Sequence, residues 1–205
     1  MFGTRPTRRR RPRWRWRAET ETEAEAEAEA EVEGTAPGPG GTGDELVTVG
    51  SMSHKVAIVM GSGSDRPVME KAASTLETFG IASEIKVLSA HKTPDQAIEF
   101  AATAADQGFS VIIAGAGKAA HLAGVMAAKS LLPVIGVPIN AALDGMDALL
   151  ATVQMPTGIP VATVAVDGAT NAALLAVSIL AVNDPDLTAQ LASYRVELAE
   201  KTLAG

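Results

Sequence analysis

The sequence predicts a doubly wound α/β fold with a parallel sheet over residues 52–205. From Lys55 onward, short β-branched apolar runs alternate with helical patterns. Such alternation implies right-handed βαβ units with helices on both faces of the sheet. The chain is also rich in Ala, Gly and Val, and only 3% of its residues are aromatic. This composition is typical of helices that pack closely on a sheet.

Each predicted element follows from a local pattern. Short runs of β-branched and other apolar residues predict strands, and stretches with apolar residues recurring at helical spacing predict helices. Asp65 followed by Pro67, and Thr93 followed by Pro94, mark two helix starts, because proline is favoured in the first turn. The predicted strands are residues 55–60, 83–89, 110–117, 133–138 and 159–166. The predicted helices are residues 65–80, 93–108, 119–132, 144–154, 169–182 and 186–203.

Residues 1–51 have a different composition from the rest of the chain. An arginine block, "RPTRRRRPRWRWR", is followed by a glutamate block, "ETETEAEAEAEAEVE", and by "GTAPGPGGTG". Like-charge blocks and Pro/Gly-rich stretches cannot bury a core, so we predict a disordered, low-complexity extension. A basic arm for nucleic acid or membrane is the less favoured alternative. We interpret residues 1–51 as an addition to the native protein, with Met52 as its expected start.

The composition of residues 52–205 excludes several classes of function. This part has 9 Lys+Arg against 14 Asp+Glu, a net charge of −5, which argues against nucleic acid or an anionic membrane as partner. The chain has no cysteine, so disulfides, thiolate nucleophiles and cysteine metal sites are excluded. No apolar run is long enough to span a membrane. We therefore expect a cytoplasmic protein with a small-molecule ligand.

Polar motifs follow three predicted strands, at the edge of the sheet where ligands bind in such folds. The first motif, "GSGSD" (61–65), precedes a helix whose N-terminal amides and dipole favour a phosphate. It is not a dinucleotide fingerprint, because residue 66 is Arg, and it is not a Walker loop. The alternative is an ordinary loop–helix junction in which Asp65 acts only as a cap.

The other two motifs, "SAHK" (89–92) and "GAGKAAH" (115–121), each contain a histidine. His91 lies at a strand–helix joint, where it is a poorer cap than Ser, Thr or Asp. Its protonation state changes easily near neutral pH, which suits proton transfer at a ligand site. His121, predicted in the first turn of a helix, is more typical of a structural residue, and His54 has no assigned role. The glycines allow either a close ligand or tight packing.

Residues 54–204 resemble the 5-(carboxyamino)imidazole ribonucleotide mutases, the PurE family of purine biosynthesis. The matching stretches occur in the same order along the chain. They are "VAIVMGSGSD", "SAHKTPD", "VIIAGAGKAAHLAG", "PVIGVPI", "VQMPTGIPVATVAV" and "NAALLAVSILA". The resemblance implies a flavodoxin-like three-layer α/β/α sandwich, assembled as a homo-octamer. It also implies an isomerase that moves a carboxylate from an exocyclic nitrogen to ring carbon 4 without metal, ATP or biotin.

The resemblance also implies roles for individual residues. The family has its catalytic histidine in the "SAH" motif, which corresponds to His91, and this one imidazole acts first as acid and then as base. The substrate-binding residues implied by position are Ser62, Asp65, Ser89, Lys92, Ala116, Gly117 and His121.

Two motifs depart from the family pattern. Lys92 stands where the family commonly has an arginine that binds phosphate. The positive charge is kept, but an ammonium group cannot make the two parallel hydrogen bonds that a guanidinium makes to a phosphate. In the third loop, usually "GAGGAAHLPG", Lys118 replaces a glycine and Ala123 a proline. Lys118 adds a long cation close to the expected site.

Three other functions remain alternatives. One is a direct carboxylase that uses carbon dioxide on aminoimidazole ribonucleotide; the "AAHL" loop favours the mutase instead. Another is a nucleotide-binding module without catalysis, which would keep its function if His91 were replaced. A carboxylase of a nicotinate-type ring is disfavoured by the absence of cysteine and by the intact purine-family loops.

Overall fold

A computed structural model of the chain describes residues 54–205. The expected extension at residues 1–51 and the expected start at Met52 lie outside the described residues. Five parallel strands form one sheet in the described part. They are β1 (Lys55–Met60), β2 (Ala82–Val87), β3 (Val111–Gly117), β4 (Val134–Ile139) and β5 (Ala162–Thr163).

Helices connect the strands and cover the sheet. The first two are α1 (Arg66–Thr78) and α2 (Pro94–Thr103), and the next two are α3 (Leu122–Lys129) and α4 (Met146–Val153). The last two are α5 (Ala169–Ala181) and α6 (Pro185–Leu203). None of these helices in residues 54–205 is both long enough and apolar enough to cross a membrane.

The strand order is β2-β1-β3-β4-β5, and every pair is parallel. This is the flavodoxin-like order, in which the chain leaves β1 first toward one edge of the sheet and then toward the other. The loops after β1 and β3 consequently diverge and leave a crevice between them. Parallel sheets of this kind place their ligands at that crevice, so the topology indicates where the site lies.

The sheet has a hydrophobic layer on each face, which confirms the predicted three-layer sandwich. Along β1, Val56, Ile58 and Met60 pack toward α1, α5 and α6, whereas Ala57 and Val59 pack toward α2 and α3. All five side chains are fully buried. A strand buried on both faces is a continuous apolar run rather than an alternating one, which is why "KVAIVM" is recognisable in the sequence.

The fifth strand is much shorter than predicted. The apolar run at residues 159–166 predicts eight residues, but β5 pairs with β4 only at Ala162 and Thr163. The N–H of Val164 still donates to the Gly136 carbonyl at 3.1 Å, but the next residue of β4 on that side is Pro138. Proline has no N–H to donate, so the ladder loses its next hydrogen bond, and the Pro138 carbonyl accepts from the Asp167 N–H at 2.8 Å instead. The length of β5 therefore depends on its neighbour.

The third helix is also shorter than the predicted 119–132. Lys118 has a φ of 56°, and the N–H groups of Ala120 and His121 donate to carbonyls only two residues back, at 2.8 Å each. These tight turns delay the helix to Leu122, so His121 is its N-cap rather than a residue of its first turn. At the other end Ser130 is extended, and α3 stops at Lys129.

His54, for which the sequence suggested no role, connects the start of β1 to the start of α6. Its Nε2 lies 3.0 Å from Asp184 Oδ2, and both side chains are largely buried. Asp184 Oδ1 accepts the N–H groups of Asp186 and Leu187 at 3.0 Å each, which caps α6. The Leu187 N–H, assisted by His54, holds the pKa of Asp184 below its ordinary value.

Candidate active site

The loops that follow β1, β2 and β3 meet at the carboxyl edge of the sheet, beside the crevice between β1 and β3. They surround a cleft of about 350 Å³. Seven of the eight site residues predicted from the sequence line this cleft: Ser62, Asp65, Ser89, His91, Lys92, Ala116 and Gly117. The eighth, His121, does not line it but contacts His91. The structure thus brings together residues from three separate motifs.

The β2 loop is held in shape by hydrogen bonds within five residues. Ser89 is buried, and its Oγ accepts the N–H groups of Lys92 at 3.1 Å and His91 at 3.4 Å. Thr93 Oγ1 accepts the Ser89 N–H at 2.8 Å, and the Thr93 N–H donates to the Ser89 carbonyl at 3.0 Å. The backbone under His91 is therefore fixed while its ring stays exposed at the mouth of the cleft.

Thr93 was missed as a site residue, because with Pro94 it reads as a helix start. It is the N-cap of α2 by position, but its side chain makes no capping bond. Its hydroxyl bonds the backbone of Ser89 instead. The available signal was a pair of hydroxyl residues four positions apart across a turn, which is typical of side-chain to backbone stapling.

The two histidines of the motifs are hydrogen-bonded to each other. His91 Nε2 lies 2.9 Å from His121 Nδ1, and the rings meet edge to face with centroids 4.9 Å apart. A hydrogen bond between two ring nitrogens has its proton on one of them, so one ring donates and the other accepts. The tautomer of each ring is therefore tied to that of its partner. This contact joins residues 30 positions apart in the chain, and no local pattern predicts it.

The β1 loop begins with a short 3₁₀ turn, Gly63–Asp65. Ser62 caps this turn, its Oγ accepting from the Ser64 N–H at 3.3 Å and from the Ser64 hydroxyl at 2.9 Å. Asp65 is the N-cap of α1, as its position before Pro67 predicts, but its side chain makes no capping hydrogen bond. Its carboxylate faces the cleft, and Ser64 Oγ, at 3.3 Å, is the group near it.

The glycines of the β3 loop are explained by packing. A Cβ on Gly115 would stand 2.4 Å from Met69 Sδ, in the core beneath α1. A Cβ on Gly117 would stand 2.9 Å from the Ala141 Cβ and 3.1 Å from the Ile139 carbonyl oxygen. Side chains at both positions would therefore displace their neighbours. Of the two sequence interpretations, tight packing alone suffices for these glycines.

The residue after Gly117 is Lys118, whose φ of 56° lies in the left-handed region of backbone conformations. Only glycine adopts this conformation without strain, which gives a physical reason for the glycine that the PurE family usually has there. Lys118 and Lys92 both line the cleft, and Asp65 is the one carboxylate among its lining residues. The cleft consequently carries a net positive charge, which favours an anionic ligand. Among residues 54–205, no cluster of His, Asp and Glu could hold a metal ion.

Comparisons with known proteins agree with this geometry. The family model described as AIR carboxylase matches residues 55–201. The N5-carboxyaminoimidazole ribonucleotide mutase of Pyrococcus abyssi is 57% identical over 145 residues, which cover 70% of this chain and 83% of that protein. The enzyme of the same name from Mycobacterium tuberculosis H37Rv is 51% identical, over 73% of this chain and 87% of that one. The crystal structure of Treponema denticola PurE superposes with a TM-score of 0.66 at 32% identity, covering 73% of this chain and 94% of that one.

Proposed function

The chain belongs to the AIR carboxylase family, and from that membership we infer that it is an isomerase of purine biosynthesis. It moves a carboxylate from the exocyclic nitrogen of 5-(carboxyamino)imidazole ribonucleotide to ring carbon 4, which gives 4-carboxy-5-aminoimidazole ribonucleotide. The observation that carries this conclusion is the 57% identity to a protein named as this mutase, over most of the length of that protein.

The reaction needs one group that first gives and then takes a proton. When the nitrogen–carboxyl bond breaks, carbon dioxide leaves and the nitrogen must gain a proton. When carbon 4 forms its bond to the carbon dioxide, the hydrogen on that carbon must leave as a proton. We propose that His91 performs both steps, starting as imidazolium and returning to imidazolium, so that the proton count balances. Its exposed ring over a fixed backbone supports this role.

We propose that His121 positions His91. The 2.9 Å hydrogen bond between the rings selects the orientation of His91 and the nitrogen that carries its proton. A general acid works only when its proton points at the reacting atom, so this contact prepares the site before substrate arrives. His121 is the N-cap of α3, and its position therefore depends on the tight turns that follow Lys118.

The remaining cleft residues fit the nucleotide part of the substrate. We propose that Ser62 and Lys92 bind the phosphate, and that Asp65 binds ribose hydroxyl groups. The position of Asp65 in the lining of the cleft supports this division, because a carboxylate accepts hydrogen bonds from hydroxyls and repels phosphate. Ser89, which accepts two backbone N–H groups, still has its hydroxyl proton to donate at the floor of the cleft. Ala116 and Gly117 would pack against the base.

The activity is tested by a coupled assay for the carboxylated product. The purified protein is given 5-(carboxyamino)imidazole ribonucleotide, and separately aminoimidazole ribonucleotide with bicarbonate. A mutase converts the first substrate at a rate that added bicarbonate does not raise. Efficient conversion of the second substrate alone would identify a direct carboxylase instead, and turnover of neither would leave only a binding function.

We propose that the chain assembles as a homo-octamer, as the family resemblance implies. The support is an apolar stripe on α4 and the turn before it: Leu143, Met146, Leu150 and Val153 are each about half exposed or more. Three of them recur at helical spacing on one face. A stripe of this kind usually marks an interface. The sequence also predicts that Leu187, Leu191, Tyr194 and Leu198 of α6 take part in assembly. The first three pack on the core of their own chain, and Leu198 is 52% exposed.

The assembly prediction is tested by light scattering. The wild-type protein should have a mass several times that of one chain at micromolar concentration, and Leu150→Glu should dissociate it, because a carboxylate buried without a partner is costly. Leu203→Glu, an equally drastic change at the exposed end of α6, is the matched control and should leave the assembly intact. A monomeric wild-type protein would contradict the proposal.

We propose that residues 52–205 form the catalytic domain and that residues 1–51 are not needed for its activity. All residues that line the cleft lie between Gly61 and Ala141, and β1 begins at Lys55. A protein that starts at Met52 should therefore keep the thermal unfolding midpoint and the turnover of the full chain. Circular dichroism and the coupled assay measure both. Loss of most of the turnover on truncation would show that residues 1–51 take part in the function.

A further inference from the structure

Lys118 has a backbone conformation that an L-residue with a side chain adopts only at a cost in free energy. Its φ of 56° lies in the left-handed region, where a Cβ crowds the backbone. Strained residues of this kind persist where the surrounding structure holds them in place, and they concentrate at functional sites. Asp167, at the same φ, has a visible local reason, since its Oδ1 accepts the Asn140 N–H at 2.9 Å. Within residues 54–205 no such side-chain bond accounts for Lys118.

The position of Lys118 places a cation beside the reacting groups. It lines the same cleft as His91 and Ser62. It is also three residues before His121, whose ring is hydrogen-bonded to His91. Lys92 directly follows His91 on the opposite loop, so one lysine is attached to each of the two loops that carry the imidazole pair.

The charge of Lys118 has no protein partner in the described part of the chain. The ion pairs between residues 54 and 205 involve Lys55, Lys86, Lys201, Arg66 and His54, and not Lys118. The ammonium group of a lysine on an open surface is surrounded by water alone. A lysine that lines a cleft for an anionic ligand instead has an anion within reach when the ligand binds.

We propose that Lys118 is a carboxylate-positioning residue, which binds the carboxylate that migrates on the substrate, while Lys92 binds the phosphate. This inference rests on the proposed mutase function. A positive charge stabilises the carboxylate of substrate and product relative to neutral carbon dioxide. Lys118 therefore favours recapture of the carbon dioxide over its escape, which would leave aminoimidazole ribonucleotide as a by-product.

The test compares ligands that differ only in the carboxylate. Lys118→Met keeps an unbranched side chain that is one atom shorter and removes its charge. It should raise KM for the carboxylated ribonucleotide about tenfold, as expected for the loss of a charged hydrogen bond. The Kd of aminoimidazole ribonucleotide, which has the phosphate but no carboxylate, should not change. The fraction of turnovers that release aminoimidazole ribonucleotide should rise, and Lys118→Arg should restore most of the wild-type behaviour.

Two further variants separate the effect of the Lys118 charge from the effect of its backbone strain and from the effect of removing any exposed positive charge. Lys118→Gly should weaken substrate binding as much as Lys118→Met does, but should have a higher thermal unfolding midpoint, because glycine accepts the left-handed conformation. Lys129→Met, on an exposed lysine at the end of α3, should change neither property.

Two outcomes would overturn the assignment of Lys118. An equal loss of affinity for both ribonucleotides would mean that Lys118 contacts the phosphate, and no loss for either would mean that it points to solvent. The wild-type protein in the same assay tests the proposed function separately. If it has no mutase turnover, the function fails; if it turns over and Lys118→Met matches it, only the role of Lys118 fails.

Discussion

Replacing His91 by asparagine should lower turnover by about 10² to 10⁴-fold, with a value at or above the upper end of this range expected. Asparagine keeps the approximate size and hydrogen-bonding capacity of the imidazole, but it neither gives nor takes a proton at neutral pH. One group that serves both halves of the reaction affects both when it is lost. The Kd of the nucleotide should change little, because Ser62, Asp65 and Lys92 are the proposed contacts of its phosphate and ribose.

The matched control is His54, which neither lines the cleft nor contacts His91. His54→Asn loses the 3.0 Å contact with Asp184 and should lower the thermal unfolding midpoint, but its turnover should stay near that of the wild type. Single-turnover measurements on both variants separate the chemical step from binding and release. A His91→Asn protein that kept more than about a tenth of wild-type turnover would be too active for this mechanism. His121 would then be the first candidate for the proton carrier.

Replacing Lys92 by alanine should raise KM for the ribonucleotide by about 10- to 100-fold and lower kcat much less. A hydrogen bond to a charged group is worth about 1.5–3 kcal/mol, and a contact with the non-reacting phosphate is made equally in the ground state and the transition state. Lys92→Arg should be tolerated or should bind more tightly, because the guanidinium adds a bidentate fork. Steady-state kinetics over a range of substrate concentrations measures both constants.

The control for Lys92 is another exposed lysine of the same domain. Lys71→Ala, on the outer face of α1, removes the same charge from a site away from the cleft and should leave KM unchanged. Raising the salt concentration should weaken wild-type binding more than that of Lys92→Ala, because screening acts on a charge that only the wild type has. If Lys92→Ala lowered kcat alone, a role in phosphate binding would be wrong.

The strands and helices were predicted well where burial imposes a local pattern. The "KVAIVM" run matches β1 residue for residue, because a central strand buried on both faces must be apolar throughout. Helix α5, predicted as 169–182, ends one residue earlier, at Ala181. The doubly wound fold and the position of the three loops follow from the order of these elements, since parallel strands have their carboxyl ends at one edge. The individual residues came from the family resemblance, and seven of the eight that it implies line the cleft.

The elements that were predicted poorly depend on neighbours distant in the chain. The fifth strand stops after two paired residues because Pro138, on β4, has no N–H to offer. The delayed start of α3 depends on the left-handed turn at Lys118, which a lysine does not signal. Asp65 and Thr93 mark two helix starts as predicted, but neither side chain makes a capping hydrogen bond, and the Thr93 hydroxyl bonds the backbone of Ser89 instead.

The sequence by itself determined the class of fold, the family and the motif that holds His91, because periodicity and contiguous motifs are properties of neighbouring residues. Only the tertiary structure decided which side chains meet across the cleft. The 2.9 Å hydrogen bond joins His91 and His121, which are 30 positions apart in the chain. It forms because β1 lies between β2 and β3, so that the loops after β2 and β3 meet above the end of β1. Likewise, the sequence does not show that Lys118 lacks a carboxylate partner among residues 54–205, because this depends on where each carboxylate lies in the fold. Contacts of this kind depend on distances between separate elements, and no pattern along one element contains them.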